Sequence, residues 1–319
     1  MWKTILKRVL VMIPQIFLLS VIIFILAKMM PGDPLTGAIT PQTDPAQIAH
    51  LRQEYGLNDP WWIQYWHWLI NLFHGDLGQS YSYKRAVTGL IGERAVNTFW
   101  LSLLTLIIVY AIAIPLGVIA GRYEGSKRDK AIQLYSYVGL SLPSFVFFLF
   151  GIWLFGYVLN WFPTTGSVSL SANGGLAVML SQLRHMILPA ILAGVLGTSS
   201  IILYLRSGVI DNTSEDFVRT ARSKGVPEKV VFNRHILRNS ILPIAAFMGN
   251  SITGLLGGSI FVETIFSYPG MGQLFVNSIA GRDYSVITAL TLLFGLLALL
   301  GNLLSDIIMS IVDPRIRIE

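Results

Sequence analysis

Six stretches of this chain, residues 9–27, 99–121, 131–160, 186–205, 239–262 and 285–305, contain no Asp, Glu, Lys or Arg, and each is 19 or more residues long. At about 1.5 Å rise per residue, a helix of that length crosses a hydrocarbon core of about 30 Å. Lipid offers no hydrogen bonds to an unpaired backbone amide, so such runs must satisfy their backbone internally. The expected fold class is therefore all-α: a polytopic membrane protein with six transmembrane helices. Composition agrees, since 53% of the 319 residues are hydrophobic and only 13% are charged, against about 25% charged in soluble domains. Pro14, Pro115, Pro143, Pro189 and Pro243 fall within or at the starts of these runs. Membrane helices tolerate proline there, so they are weak markers of kinks.

Lys3, Lys7 and Arg8 precede the first run as a secretory n-region would, but Leu26-Ala27-Lys28-Met29-Met30-Pro31 lacks a small-residue cleavage site. It reads as an uncleaved signal anchor. An even number of spans puts both ends on one side, and 16 of the 23 Lys and Arg residues fall on that side, at the N-terminus, in 122–130, in 206–238 and in the tail. Most of the others lie in 28–98, a segment too long to count toward orientation. N- and C-termini are therefore expected in the cytoplasm. The net charge of +6 is accounted for in this way, and without interleaved basic and aromatic residues it does not point to nucleic acid. The absence of cysteine excludes disulfides, thiolate metal sites and a cysteine nucleophile.

The chain divides into an N-terminal end with the first span (1–30), an external subdomain (31–93), a transmembrane domain (94–309, helices about 99–121, 131–160, 186–205, 239–262 and 285–308) and a cytoplasmic tail (310–319). In the external part, Trp61, Trp62, Tyr65, Trp66, Trp68, Leu69, Leu72 and Phe73 crowd a short helical stretch after Asp59-Pro60. That composition suits the headgroup boundary or a packed helix, with contact to a substrate-delivering partner as the functional alternative. Gly75-Asp76-Leu77-Gly78-Gln79-Ser80 is turn chemistry.

The cytoplasmic loop 206–238 carries the most information. Thr213 or Ser214 can cap a helix, Glu215 and Asp216 suit its positive end, and Arg219, Arg222 and Lys224 its negative end. Gly225 stops that helix, Pro227 restarts the chain, and 228–238 forms a second short helix. Phe217, Val218 and Ala221 line one face of the first, while Ala221 and Gly225 leave little bulk at its end. This elbow can dock into another protein or serve as a solvated loop bearing the cytoplasmic charge.

The segment Glu215-Asp216-Phe217-Val218-Arg219-Thr220-Ala221-Arg222-Ser223-Lys224-Gly225, continuing to Arg234-His235-Ile236-Leu237-Arg238-Asn239-Ser240-Ile241-Leu242-Pro243, resembles the coupling loop of binding-protein-dependent ABC importers. Ala221 and Gly225 match that family's Glu-Ala-Ala…Gly pattern, whereas Arg219 and Thr220 replace its Glu and first Ala. Pro31-Gly32-Asp33-Pro34, Tyr55-Gly56-Leu57-Asn58-Asp59-Pro60, Gly75-Asp76-Leu77-Gly78 with Ser80, Glu263-Thr264-Ile265-Phe266-Ser267-Tyr268-Pro269-Gly270-Met271-Gly272, Arg282-Asp283-Tyr284 and Asp313-Pro314-Arg315 look like the first permease subunit of the oligopeptide, dipeptide and nickel branch. The resemblance implies an ABC type I permease fold in a bacterial cell (inner) membrane. It also implies a second related permease, two cytoplasmic ATPases that hold the ATP and Mg, and an external substrate-binding protein. In it, Glu215, Asp216, Phe217, Arg219, Thr220, Ala221, Lys224 and Gly225 would form the ATPase-coupling loop. The implied cargo is peptide, with nickel chelates or glutathione as alternatives in the same branch.

The fifth run combines Asn250, Ser251, Thr253, Gly254, Gly257 and Gly258, which suit a translocation pathway or close helix packing, Gly254 and Gly258 having the small-xxx-small spacing. Glu263 ends that run outside, as a solvated or loop-anchoring carboxylate or a substrate contact. His235 reads as a surface or helix-end residue. No Gly-x-x-x-x-Gly-Lys-Ser/Thr, His-Glu-x-x-His or Gly-x-Ser-x-Gly sequence is present, so no catalytic residue, metal site or cofactor is expected on this chain. An ion-coupled secondary carrier is the rival class. It would usually place carboxylates or histidines deep in its spans, and these runs carry none.

Overall fold

The computed structural model describes residues 2–29, 44–54, 56 and 58–312. The Pro31-Gly32-Asp33-Pro34 and Asp313-Pro314-Arg315 motifs, with Tyr55 and Leu57, lie outside the described residues. In chain order the elements are α1 (Trp2–Met29), α2 (Pro45–Glu54), α3 (Trp61–Phe73), the short antiparallel strands β1 (Gln79–Ser80) and β2 (Arg85–Ala86), α4 (Val87–Arg122), α5 (Lys127–Ser141) and α6 (Ser144–Gly151). A π-helical stretch, Ile152–Val158, precedes α7 (Gly175–Thr213), α8 (Asp216–Ser223) and α9 (Glu228–Val230). A second π-helical stretch, Val231–Ile236, leads into α10 (Leu237–Ser240), α11 (Leu242–Gly257), α12 (Ile260–Ile265), α13 (Met271–Ala280) and α14 (Tyr284–Val312).

Four of the six apolar runs lie on unbroken helix, whereas the third is interrupted at 142–143 and the fifth, expected as one helix over 239–262, at 241 and 258–259. Helices α1, α4, α7 and α14 are each long and apolar enough to cross a membrane, and two bent pairs, Lys127–Ser141 with Ser144–Val158 and Glu228–Ala245 with Phe247–Ile265, bring the candidates to six if each pair is one span. The third run, expected as a single helix over 131–160, is instead bent by 100°. The cause is Pro143: it lacks an N–H, and its ring drives Leu142 out of the helical region, to φ −78° and ψ 127°. Pro14, Pro115 and Pro189 sit inside unbroken helices, and Pro243 occupies the first turn of α11. A proline therefore breaks only one run outright.

Helices α4 and α7 pack side by side and in parallel. An added Cβ would lie 2.9 Å from Leu205 Cβ at Gly117, 2.6 Å from Val209 Cβ at Gly121 and 3.0 Å from Val109 Cγ2 at Gly197. These pairs keep one constant offset in sequence. In lipid, helices gain nothing by hiding apolar surface from water, so backbone approach over small residues supplies the packing. Because α4 and α7 point the same way, residues 123–174 must return the chain from one end of the bundle to the other. Helix α11 runs antiparallel to α14, with Gly249 against Ser305 and Gly301 against Thr253 and Asn250. Helix α1 runs antiparallel to α14 as well, through Leu19 on Gly295 and an Arg8 Nη1–Asp306 Oδ2 ion pair of 3.1 Å.

These directions sort the ends. The start of α1, the ends of α4, α7 and α14, and the start of α11 share the end that carries α8. The far end carries α3, the β1–β2 hairpin, α12 and α13. One apolar cluster there joins Val87, Leu90, Met271, Leu274, Val286 and Leu290.

Candidate functional site

At the α8 end, the elbow is built on its own core. Val218 and Ala221 of α8 pack with Leu205 and Val209 of α7, Val231, Phe232 and Ile236 of the second arm, and Ile244 of α11. Glu215, Asp216, Phe217, Arg219, Thr220, Lys224 and Gly225 remain exposed. Of the residues assigned to the coupling loop, Ala221 is thus the inner anchor and the other seven form the outer surface. Phe217 does not share the buried face of Val218 and Ala221, as the sequence suggested, because its position on the helix turns it outward.

The start of α8 also differs from expectation. Its N-cap is Glu215, without a side-chain cap bond, while the Thr213 hydroxyl donates to Val209 O and the Ser214 hydroxyl to Asp211 O. Both hydroxyls serve the last turn of α7, which runs on to Thr213 and so claims them first. The end of α8 matches its glycine signal. Gly225 N–H donates to Arg222 O at 2.9 Å and Val226 N–H to Ala221 O at 3.2 Å, with Gly225 at φ +74°. This is the left-handed termination that a Cβ would strain. Across the bend, Arg222 donates twice to Glu228, from Nε at 3.1 Å and Nη2 at 2.8 Å. The second arm, expected as one helix over 228–238, contains the π-helical stretch, where Arg122 lies 4.7 Å from the Phe232 ring centroid.

The elbow is tied to the neighbouring loop by Arg206 and Asp129. The Asp129 side chain is fully buried, its carboxylate accepting from Arg206 Nε at 2.6 Å, Arg206 Nη2 at 2.8 Å and Gly125 N–H at 2.8 Å. Sequence reading assigned neither residue a role. Asp129 stands among basic neighbours, and nothing local marks its partner 77 positions away.

Midway along the bundle, the polar and small residues of the fifth run separate into two groups. Asn250 and Thr253 face α14: Asn250 Nδ2 donates to Asn302 Oδ1 at 3.2 Å, and both residues abut Gly301. Ser251, Gly254 and Gly258 line an open groove of about 240 Å³ with Ser102, Thr105 and Val109 of α4. An added Cβ at Gly254 or Gly257 meets nothing within 4 Å. Close approach uses Gly249 and Gly301 instead. Gly258, at φ +67°, ends α11, and a Cβ there would lie 2.8 Å from Glu263 Oε1.

Glu263 is fully buried at the far end. Its carboxylate accepts from Thr98 Oγ1 at 2.9 Å, Gly272 N–H at 2.6 Å and Gln273 N–H at 3.1 Å. The last two are unpaired amides of the first turn of α13, where a negative charge is favoured. Thr98 Oγ1 accepts in turn from Met271 N–H at 2.8 Å. Gly270 admits the carboxylate, since a Cβ there would stand 2.3 Å from Glu263 Cδ. Burial, reinforced by the Glu263 charge, pushes the Tyr268 phenol up. It therefore stays a donor, to Asn97 O at 3.4 Å. Asp283 repeats the device: also fully buried, it accepts from Ser80 Oγ at 2.5 Å, Ser82 N–H at 3.1 Å and Val286 N–H at 3.4 Å. Two carboxylates thus clamp the far-end loops onto α4 and the hairpin. His235 lies on the second arm, and among the described residues no cluster of His, Asp or Glu suits a metal ion.

Residues 113–318 match the family model described as binding-protein-dependent transport system inner membrane component, and residues 1–103 match the model of the N-terminal part of such components. The chain is 39% identical over 314 residues to the oligopeptide transport system permease protein AppB of Bacillus subtilis, covering 98% of each chain. It is 36% identical over 317 residues to the glutathione transport system permease protein GsiC of Shigella flexneri, covering 99% of each, and 35% identical over the same length to GsiC of Escherichia coli K12. The docked elbow, the groove and the clamped far-end loops are therefore parts of a chain that belongs to the family of binding-protein-dependent transport system inner membrane components.

Proposed function

We propose that this chain is the permease subunit of an ATP-driven importer of short peptides, crossing the bacterial cell membrane six times with both termini in the cytoplasm. The observation that carries the reading is the α8 elbow, an exposed surface whose inner residues are packed into the ends of α7 and α11. A surface so anchored can pass a displacement to the spans. The parallel course of α4 and α7, the shared end of α1 and α14, and the excess of Lys and Arg at the α8 end support six spans and that orientation. Two cytoplasmic ATPases hold the ATP and Mg, and one of them receives α8. A second related permease completes the pathway along the Ser251–Gly254 face, and an external protein delivers cargo at the far end. ATP binding draws the ATPases together and favours one opening of the pathway over the other, which requires α8 to make different contacts in the two states.

Peptide is the proposed cargo by likeness to AppB, and glutathione, itself peptide-like, is the second reading by likeness to GsiC. Nickel chelates remain the third member of that set. Family membership replaces the ion-coupled carrier alternative. The test is reconstitution of the purified complex in vesicles, with uptake of a labelled peptide set, glutathione and a nickel chelate followed with and without ATP. ATP-dependent uptake of peptides is the expected result. Uptake driven by a proton gradient without an ATPase would overturn the importer reading, and uptake of glutathione or nickel chelate alone would replace the cargo.

A further inference from the structure

A cavity of about 250 Å³ opens at the far end between α1, α3 and α14, beside the Asp283 clamp and apart from the groove and the elbow. Its walls are graded. Helix α1 runs toward the far end, so Lys28 lies one turn outside Phe24. Helix α14 starts there, so Ser285 lies outside Ala289 and Leu292. All five line the cavity, and two helices running in opposite directions therefore present the same order: apolar floor on the membrane side, polar rim outside. His67 and Asp76 complete the rim. Lys28 is held at it by a hydrogen bond to Gln64 Oε1 and lies 5.7 Å from the Phe24 ring centroid. Asp76 Oδ1 is fixed by Gly78 N–H at 2.8 Å, leaving its other oxygen for a donor.

Helix α3, which forms one wall, sits at a boundary between two media. Tyr65 reaches α1 with a 2.8 Å hydrogen bond to Ser20, and the Tyr65 and Trp68 rings pack on Phe24 at centroid distances of 5.3 and 5.9 Å. Trp61, at the start of α3, and Trp62 and Trp66, beside the face that meets α1, are each more than half exposed. Indole rings of that kind settle at the lipid headgroup level.

We propose that this cavity binds one glycerophospholipid of the outer-facing leaflet, its phosphodiester on Lys28 and the start of an acyl chain over Phe24, Ala289 and Leu292. Every such lipid places one phosphodiester charge on Lys28, but only an ethanolammonium adds a cation that pairs with Asp76, so the site selects a zwitterionic phosphoethanolamine headgroup over a phosphoglycerol one. The assignment rests on the membrane reading above but not on any cargo.

Native mass spectrometry of the purified full-length complex in detergent, titrated with phosphatidylethanolamine, phosphatidylglycerol or inorganic phosphate, tests it. The expected result is a retained phosphatidylethanolamine, bound more tightly than phosphatidylglycerol. Lys28→Gln and Asn71→Trp, the latter narrowing the rim from the exposed face of α3, should each weaken it about tenfold, an effect of about 1.4 kcal/mol. Both variants should keep the ATPase rate of the complex. Equal retention in wild type and both variants would overturn the site. Displacement of the lipid by millimolar inorganic phosphate would reassign Lys28 to a free anion and overturn the lipid. Loss of transport with normal lipid retention would count against the cargo reading alone.

Discussion

Arg206 clasps Asp129 through two parallel hydrogen bonds of 2.6 and 2.8 Å, joining the end of α7 to the start of α5 beside the elbow. The carboxylate is wholly buried and the guanidinium side chain one-fifth exposed. Removing the cation strands a buried charge, at a cost of about 3–5 kcal/mol. Arg206→Ala should therefore lower the melting temperature of the purified protein, and Arg206→Lys should recover only part of it because an ammonium cannot make the paired fork. Equal melting of all three proteins would deny the clasp its structural role.

Gly225 separates backbone demand from side-chain space. With φ at +74° and nothing within 4 Å of an added Cβ, Gly225→Val should strain the turn by about 1–2 kcal/mol without a clash inside this chain. Asparagine tolerates that backbone region. We expect Gly225→Val to insert normally but lose most ATP-driven uptake while ATP hydrolysis persists, and Gly225→Asn to retain uptake. If valine and asparagine are equally harmful, the partner surface rather than the turn sets the requirement.

Glu263→Gln keeps the shape of the side chain but loses the charge and, with its oxygen on the Gly272 and Gln273 amides, turns a donor toward the Thr98 hydroxyl that in the native chain donates to Oε1. Each stranded buried group costs about 1–3 kcal/mol. The outcome should be faster protease cleavage in 258–283, measured from the far-end side in sealed vesicles. An unchanged cleavage rate with weakened substrate capture would instead favour direct substrate contact.

Gly121 and Gly254 give opposite expectations for the same substitution. Leucine at Gly121 drives a side chain into Val209 and the Arg206 carbonyl, and should destabilise the fold by about 1–3 kcal/mol or more. Leucine at Gly254 enters the open groove. It should leave melting nearly unchanged while cutting uptake several-fold, and full uptake by a stable Gly254→Leu protein would remove the groove from the pathway.

The apolar runs located every long helix, because a span of lipid admits few other solutions. What they could not locate was contact between distant positions. The 100° bend needed one proline among five to act outright, and only the packing around each decides which does. Gly117 and Gly121 carry the same spacing as Gly254 and Gly258, yet the first pair meets α7 and the second meets open space and Glu263. Gly225 was legible as the stop of the elbow, whereas Ala221, read as a low-bulk position for docking, is buried against α7 and the second arm of this same chain. Glu263 read as a boundary carboxylate and Asp283 only as part of a family motif, since the amides they accept from come from turns whose folding no local pattern states. Thr213 and Ser214 were misplaced as caps because α7 extends past its apolar run.

Helix α7 has 39 residues without a break, so at about 1.5 Å each it is about 58 Å long, nearly twice a hydrocarbon core of about 30 Å. Bonded along its glycine seam to α4, it is a stiff beam with a handle at one end. A beam of that length converts a tilt of about 5° at its base into a sweep of roughly 5 Å at its tip. Small displacements at the α8 end are thereby geared up with distance, and the largest excursion falls at the far end.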